Sequence, residues 1–329
     1  MYREKIFGVA IKVEATPLTD IVPGVTNAIR VVGIPTLKWD FLEPGKRDDV
    51  VTGQLGAAAR AIPAGRWGSI DLQIEAKGAG AAYSASVLPE MDPILLIAGM
   101  SKTLVVTSGA ESVLYTTIDN PSTTATLYCW SGGKLFKLVG CVATVKFSAA
   151  AAKRGFFNAT ITGVMTSDPT ETSLPSLTYQ AALPPLFHSA VATIGAWSSA
   201  SGSEPLSLED VMVDLGNTVV DLASAGAVDG HAGYLISDRL ARQEMTVKIP
   251  ALATFDLFAA AKLTGASLPL STWQLGTVKY NEMKGQTGIW QLEPIGPGSN
   301  KALVTAKLAG NLLIGGAPTS SREINFLFD

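Results

Sequence analysis

The sequence predicts a mainly β protein made of two tandem β-sandwich or barrel domains, each flanked by one short α-helix. Three observations predict it. The stretch Gly155-Phe156-Phe157-Asn158-Ala159-Thr160-Ile161-Thr162-Gly163 returns without a gap as Ala302-Leu303-Val304-Thr305-Ala306-Lys307-Leu308-Ala309-Gly310. Ala159/Ala306 and Gly163/Gly310 are identical, and Phe156/Leu303, Phe157/Val304 and Ile161/Leu308 are apolar in both copies. Ser69-Ile70-Asp71-Leu72-Gln73-Ile74 reappears in pattern as Glu244-Met245-Thr246-Val247-Lys248-Ile249. Ahead of each lies a Gly-x-x-Gly, Gly53 to Gly56 and Gly230 to Gly233, with Val51 and Val228 two places before it. Three landmarks in one order are the mark of a duplicated unit. Two unrelated β domains are the other reading, because a period of two recurs in any sheet.

The spacing says where the copies differ. Ile74 to Gly163 spans 89 positions and Ile249 to Gly310 spans 61, so about 28 extra residues enlarge the first copy between these landmarks. From Thr166 to Glu204 the chain turns rich in Pro, Ser and Thr, the composition of a linker. The boundary is placed near Pro185, giving a first domain over residues 1–185 and a second over 186–329.

At 329 residues each half can bury its own core. A hydrophobic content of 47% with 32 Gly and 18 Pro suits a turn-rich β protein, while 16% charged residues is low and leaves a surface of Ala, Gly, Ser and Thr. Such a surface suits burial against other chains. Net charge is −3, and no basic block exceeds Lys46-Arg47 or Lys153-Arg154, which argues against gripping phosphate. Met1 to Lys5 lack an apolar core and no run of about 18 apolar residues occurs, so neither a secretory signal nor a membrane span is expected. Cys129 and Cys141 are too few for a disulfide framework or a zinc site and read as small buried hydrophobes.

The elements follow in order. Ile6 to Val13 is a strand, and Pro17 and Pro23 make the next stretch an extended arm. Arg30 to Phe41 is a strand interrupted at Pro35, followed by the turn and charge cluster Glu43-Pro44-Gly45-Lys46-Arg47-Asp48-Asp49. A loop of mixed charge suits docking on an identical neighbour; a solvated loop fits the same residues. Arg66 to Ala76 alternates strictly, with Ile70, Leu72 and Ile74 on one face and Asp71, Gln73 and Glu75 on the other. Pro and acids then precede a short apolar helix ending at Gly99, and Thr254 to Gly265 repeats that plan with Thr254 as N-cap and Gly265 as C-cap. Val113 to Ile118, Ala125 to Trp130 and Leu135 to Phe147 are strands, the last two joined through Gly132-Gly133, and Gly155 to Val164 closes the first copy.

No bond-making apparatus is apparent. His188 and His231 are the only histidines, and neither has a partner at the spacing of a metal site or a nucleophilic triad. The acid pairs Asp48/Asp49 and Glu209/Asp210 lie in loop-like sequence, and the glycine stretches Gly53 to Gly56 and Gly296 to Gly298 lack the Lys-Ser/Thr of a phosphate loop. The six Trp are scattered and read as packing. No catalytic residue, cofactor or metal is assigned, and the chain is not expected to be an enzyme.

Asp214-Leu215-Gly216-Asn217-Thr218-Val219, taken as the strand after the linker, with Asp229-Gly230-His231-Ala232-Gly233-Tyr234-Leu235-Ile236, resembles the C-terminal half of major tail tube proteins of long-tailed bacteriophages. Glu14-Ala15-Thr16-Pro17-Leu18-Thr19-Asp20 and Ala28 to Val31 resemble that family's opening, where Glu-x-Thr-Pro-Gly-Thr is common; Leu18 stands at the Gly position. The resemblance spans nearly the whole chain through short structural motifs. It implies a tube-type sandwich whose inner strands join those of neighbouring chains into a barrel around a channel. One such fold per chain closes sixfold rings; a duplicated chain closes a pseudo-hexameric ring as a homotrimer, with hexameric rings as the alternative. The implied setting is a virion tail assembled in the host cytoplasm. The implied partners are further copies, tape-measure and tail-terminator proteins, and DNA that passes without specific binding.

On this reading the polar positions Asp71, Gln73, Glu75, Asn158, Thr160 and Thr162 of the first copy, and Glu244, Thr246, Lys248, Thr305 and Lys307 of the second, face the lumen. Bulk solvent on an ordinary sandwich would serve the same residues. Three acids against two lysines leave the lumen's potential undecided. Glu43, Lys46, Arg47, Asp48 and Asp49, with the N-terminal arm, are the inter-ring candidates. A tail-tip or decoration module binding a receptor or carbohydrate is the competing function, and it would present exposed aromatics.

Overall fold

A computed structural model describes residues 6–42, 63–188, 190–199, 205–227, 230–262, 269–293, 297–300, 303–314 and 322–329. The first half runs β1 (Phe7–Val13), β2 (Ala28–Ile29), β3 (Thr36–Leu42), β4 (Pro63–Glu75), α1 (Asp92–Ile97), β5 (Met100–Val105), β6 (Ser112–Thr117), β7 (Ala125–Ser131), β8 (Lys134–Ala150), β9 (Phe156–Met165) and β10 (Thr170–Glu171). The second runs β11 (Thr193–Ile194), β12 (Trp197–Ser198), β13 (Leu208–Asp214), β14 (Asn217–Ala223), β15 (His231–Arg239), β16 (Arg242–Lys248), α2 (Leu257–Ala261), β17 (Ser271–Leu275), β18 (Met283–Thr287), β19 (Ile289–Leu292), β20 (Pro297–Asn300), β21 (Leu303–Leu313) and β22 (Ile324–Phe328). The protein is mainly β, with two short α-helices among the described residues.

The alternation read from sequence sets the strand faces. In β4, Ile70, Leu72 and Ile74 are buried while Asp71 and Gln73 are half-exposed. β8 changes character along its length. Leu135 to Ala143 are buried almost without break, except Lys137, as suits a strand covered on both sides, whereas Thr144, Lys146 and Ser148 then alternate with buried Val145, Phe147 and Ala149. Its register slips between Val139 and Val142, just before the alternation begins at Thr144.

The duplication is visible as register. β4 pairs β9 with Gly68 opposite Gly163, Ile70 opposite Ile161 and Leu72 opposite Ala159. β16 pairs β21 with Gln243 opposite Gly310, Met245 opposite Leu308 and Val247 opposite Ala306. These are the same positions under the repeat. The strand before each pair obeys the same rule, since Thr36 meets Asp71 and Asp210 meets Thr246. β3–β4–β9–β8 and β13–β16–β21 with β19 and β20 are therefore two versions of one inner sheet. Each version is followed by its helix after the second strand.

Both versions belong to one structure. β8 pairs β13 antiparallel, Lys146 opposite Asp214 through Ala150 opposite Asp210, which fuses the two inner sheets edge to edge. In the seven-stranded second sheet β22 lies between β6 and β18, so it too crosses from one repeat to the other. One hydrophobic cluster takes residues from both. At its centre the Phe147 ring stacks on Trp273 with centroids 4.6 Å apart and an interplanar angle of 6°, and Phe157 and Phe326 close around them. The repeats are halves of a shared core rather than separate lobes.

Several expectations need correction. Residues 214–219 are not one strand: Leu215 and Gly216 separate β13 from β14, and β14 with β15 forms a hairpin packed against β8 and β9 of the first repeat. The cap of α2 is Asp256, whose Oδ1 accepts from the amides of Phe258 (3.0 Å) and Ala259 (2.9 Å), rather than Thr254, and the helix ends at Lys262. Gly265 lies outside the described residues, as does Gly53 to Gly56. Helix α1 does end as read, with Gly99 at φ +82°, a conformation glycine adopts without strain. The equivalence of Phe157 and Val304 fails in burial: the first is 0% exposed and the second 57%.

The arm is not free either. Glu14 is buried, and its carboxylate accepts from Leu18 N, Thr124 Oγ1, Thr126 Oγ1 and Gly140 N at 2.7–2.9 Å. Asp20 accepts from Tyr128 Oη at 2.7 Å. Residues 14–20 are thus tied to their own chain instead of reaching out. Leu18 holds φ +64°, the left-handed conformation that favours glycine. The Pro-rich linker is likewise bound: Leu174 and Leu177 pack on the cluster of Tyr128, Trp130 and Leu135, and Phe187 is buried.

Candidate assembly face and edges

The inner sheet has one apolar face, turned to the core, and one polar face. Cross-strand register carries a single polar row across seven strands: Gln73, Asn158, Lys146, Asp214, Arg242, Asn311 and Gln291, each opposite the next. The row passes through the β8–β13 seam without changing side. The adjoining row holds Glu75, Phe156, Ser148, Met212, Glu244 and Ala309.

All the polar positions picked from sequence fall on this one face by strand parity. Asp71, Gln73, Asn158, Thr160, Thr162, Glu244, Thr246, Lys248 and Lys307 are at least partly exposed there, while Glu75 and Thr305 are nearly covered. Sequence reading missed Thr144, Lys146 and Ser148 of β8 and Asp210, Met212 and Asp214 of β13, although both sets alternate with apolar neighbours. A stricter search for period two would have found them. Glu43, Lys46, Arg47, Asp48 and Asp49 lie outside the described residues.

Charges on the face are interleaved. Lys38 approaches Asp71 (3.9 Å), Lys146 approaches Asp214 (3.6 Å), Arg154 bonds Glu75, Arg242 bonds Glu293, and Lys307 lies 2.7 Å from Glu244. The hydrogen bond from Lys307 and the nearby Arg242 hold the Glu244 carboxyl below its ordinary range, and Arg242 does the same for Glu293. Gln73 Nε2 donates to Asn158 Oδ1 (3.0 Å), and Thr160 Oγ1 donates to Asp71 Oδ1 (2.6 Å). A concavity of about 420 Å³ lies over this face, where Val32, Ile34 and Pro35 stand beside Asp71, Gln73, Asn158, Lys146 and Asp214. Paired in this way, the side chains leave little net charge for an anion to grip.

The sheet ends in edges. Among the described residues β3 pairs only β4, and β19 and β20 pair only β21. Trp39 on β3 is 49% exposed, whereas Val213, its counterpart on β13 inside the fused sheet, is 1% exposed.

His231 Nδ1 lies 2.9 Å from Asp221 Oδ2 on the β14–β15 hairpin. Among the described residues no three His, Cys, Asp or Glu side chains stand together as metal ligands. Burial pushes the Cys129 thiol up to about 12 and raises that of Cys141, so neither is a thiolate at neutral pH. No described helix is long and apolar enough to cross a membrane. No protein-family model matches the chain, and no curated protein matches its sequence.

Proposed function

We propose that this chain is a structural subunit that assembles into stacked rings forming a tube, as in the tail of a long-tailed bacteriophage, with the polar face lining a channel for DNA. The observation that carries this reading is the polar row that crosses both repeats on one side of a fused, open-edged sheet. A sheet with exposed edges is completed by further strands, and closing it into a barrel removes those edges.

Dimensions favour three copies over six. Each chain offers the inner strands β3, β4, β9, β8, β13, β16 and β21 and a last position shared by β20 and β19. Three chains give about 24 strands, and at about 4.8 Å between strands and a tilt of about 40° the barrel is about 48 Å across its backbone. Side chains narrow this to a channel of about 35 Å, room for one hydrated duplex. Six copies would double the diameter.

The paired charges suit passage. Attraction to phosphates accumulates with every contact, so a lining whose cations are already matched by carboxylates lets a polyanion slide. In this reading the charged segment from Glu43 to Asp49 holds one ring to the next, and tape-measure and terminator proteins set the tube's length. The test is negative-stain microscopy of the purified chain. Rings or open-ended tubes with threefold symmetry are expected; discrete single particles at all concentrations would overturn the proposal and favour a receptor-binding module.

A further inference from the structure

The seam inside the chain is a template for the seam between chains. We infer that the β3 edge of one copy pairs antiparallel with the β20 edge of the next, in a register that places Lys38 opposite Asn300, Trp39 opposite Ser299 and Asp40 opposite Gly298. This deepens the ring reading above and rests on it.

The register follows from three pairings. Within the chain Met212, Val213 and Asp214 of β13 lie opposite Ser148, Phe147 and Lys146 of β8. Through their partners on β4 and β16, the positions of Lys38, Trp39 and Asp40 on β3 equal those of Met212, Val213 and Asp214. Through their partners on β9 and β21, the positions of Asn300, Ser299 and Gly298 on β20 equal those of Ser148, Phe147 and Lys146. The first repeat thus meets its successor through β8, and the second repeat presents the corresponding strand, β20, with nothing paired to its outer side among the described residues. A second copy supplies the missing partner, because its β3 edge matches β13 position for position. The half-exposed Trp39 is the side chain this contact covers, as Val213 is covered within the chain.

Hydrogen-bond parity sharpens the test. Ala151 N donates to Glu209 O (2.7 Å) and Leu215 N donates to Val145 O (3.1 Å), so Phe147/Val213 is a hydrogen-bonded pair and Ser148/Met212 is not. By equivalence Lys38/Asn300 is a pair of the second kind, in which Cα atoms approach closely enough for a disulfide.

The experiment is oxidation of the assembled full chain carrying Lys38→Cys with Asn300→Cys, read on a non-reducing gel. Lys38→Cys with Gly298→Cys, a two-residue slip on the same face, is the comparison, and Ser148→Cys with Met212→Cys is the control for linkage within a chain. Native Cys129 and Cys141 are buried and stay silent. The first pair is expected to link chains into dimers and closed trimers at least about tenfold more than the slipped pair. Amide exchange at Trp39, the equivalent of a hydrogen-bonded position, is expected to slow at least about tenfold on assembly. Equal or better linkage of the slipped pair overturns the register. Rings seen by microscopy without linkage and without slowed exchange overturn the edge pairing and leave the tube standing. Single particles alone, with no linkage, overturn both.

Discussion

Lys146 and Asp214 face each other across the line where one repeat ends and the other begins, with Nζ 3.6 Å from Oδ2. Both side chains are about two-fifths exposed, 43% and 39%, so the pair marks the seam more than it secures it. What secures it lies on the opposite face, where Phe147 and Val213 are buried. Lys146→Ala is expected to lower stability by less than about 1 kcal/mol. Phe147→Ala, which removes the ring stacked on Trp273, is expected to cost about 3–5 kcal/mol. Urea denaturation of the two variants checks the contrast; equal losses would place the strength of the seam in its charges.

Burial makes a second ion pair behave differently. Lys77 and Glu90 are 0% and 2% exposed, with Nζ 2.9 Å from Oε2 in an approach that is ionic rather than a well-aligned hydrogen bond. Glu90 also accepts the Arg30 amide. Lys77→Met strands a carboxylate in the core and is expected to cost about 3–5 kcal/mol, while adding Glu90→Gln is expected to recover a large part of that loss. A double-mutant cycle reads it, and additive losses would contradict the coupling.

Gly310 permits the close approach of β19. A methyl group there would sit 1.9 Å from Gln291 O, which is backbone and cannot turn aside. Gly310→Ala is expected to cost about 3 kcal/mol through displacement of β19. Gly226→Ala, whose methyl would meet only Ser224 Oγ at 3.9 Å, is expected to change stability by less than about 0.5 kcal/mol. Thermal melting of both variants tests this.

Acid is expected to loosen the second repeat's polar face. The Glu244 carboxyl, hydrogen-bonded by Lys307 and Arg242, lies below its ordinary value of 4.5, with Glu293 as the neighbouring acid, itself lowered by Arg242. A carboxylate depressed on folding contributes stability above its unfolded value, and that contribution fades as pH falls through the folded one. The melting temperature is therefore expected to hold between about pH 7 and about pH 5 and to fall below about pH 4.5. Glu244→Gln should melt lower than the parent at neutral pH, and the gap should close in acid. A gap that stays constant would remove Glu244 from the account.

The repeat made much of the fold legible. Aligning Gly163 with Gly310 and Ser69 with Glu244 marks positions that turn out equivalent in the β4–β9 and β16–β21 pairs, and the alternation gave their faces, since a slip by one residue would turn every core residue outward. What sequence could not supply was anything set by a distant partner. Asn217 reads as part of a strand, yet its amide donates to the carbonyls of Ala98 (2.8 Å) and Ala143 (3.1 Å) and pins the hairpin to the first repeat. Glu14 reads as one residue of an arm, yet four donors from three segments converge on it. Period and composition are local, and apart from the Leu18 amide these partners lie from 74 to 126 residues away in the chain. The fusion through β8 and β13 was hidden for the same reason, since alternation gives a strand its faces but not its neighbours.

That fusion separates two kinds of event. Because β8 and β13 sit on one polypeptide, their contact forms during folding at an effective concentration fixed by the connecting chain, however dilute the protein is. In the proposed ring, dilution acts on the outer borders, β3 on one side and β19 with β20 on the other. A ring of three such chains has half of its joints made before the chains meet.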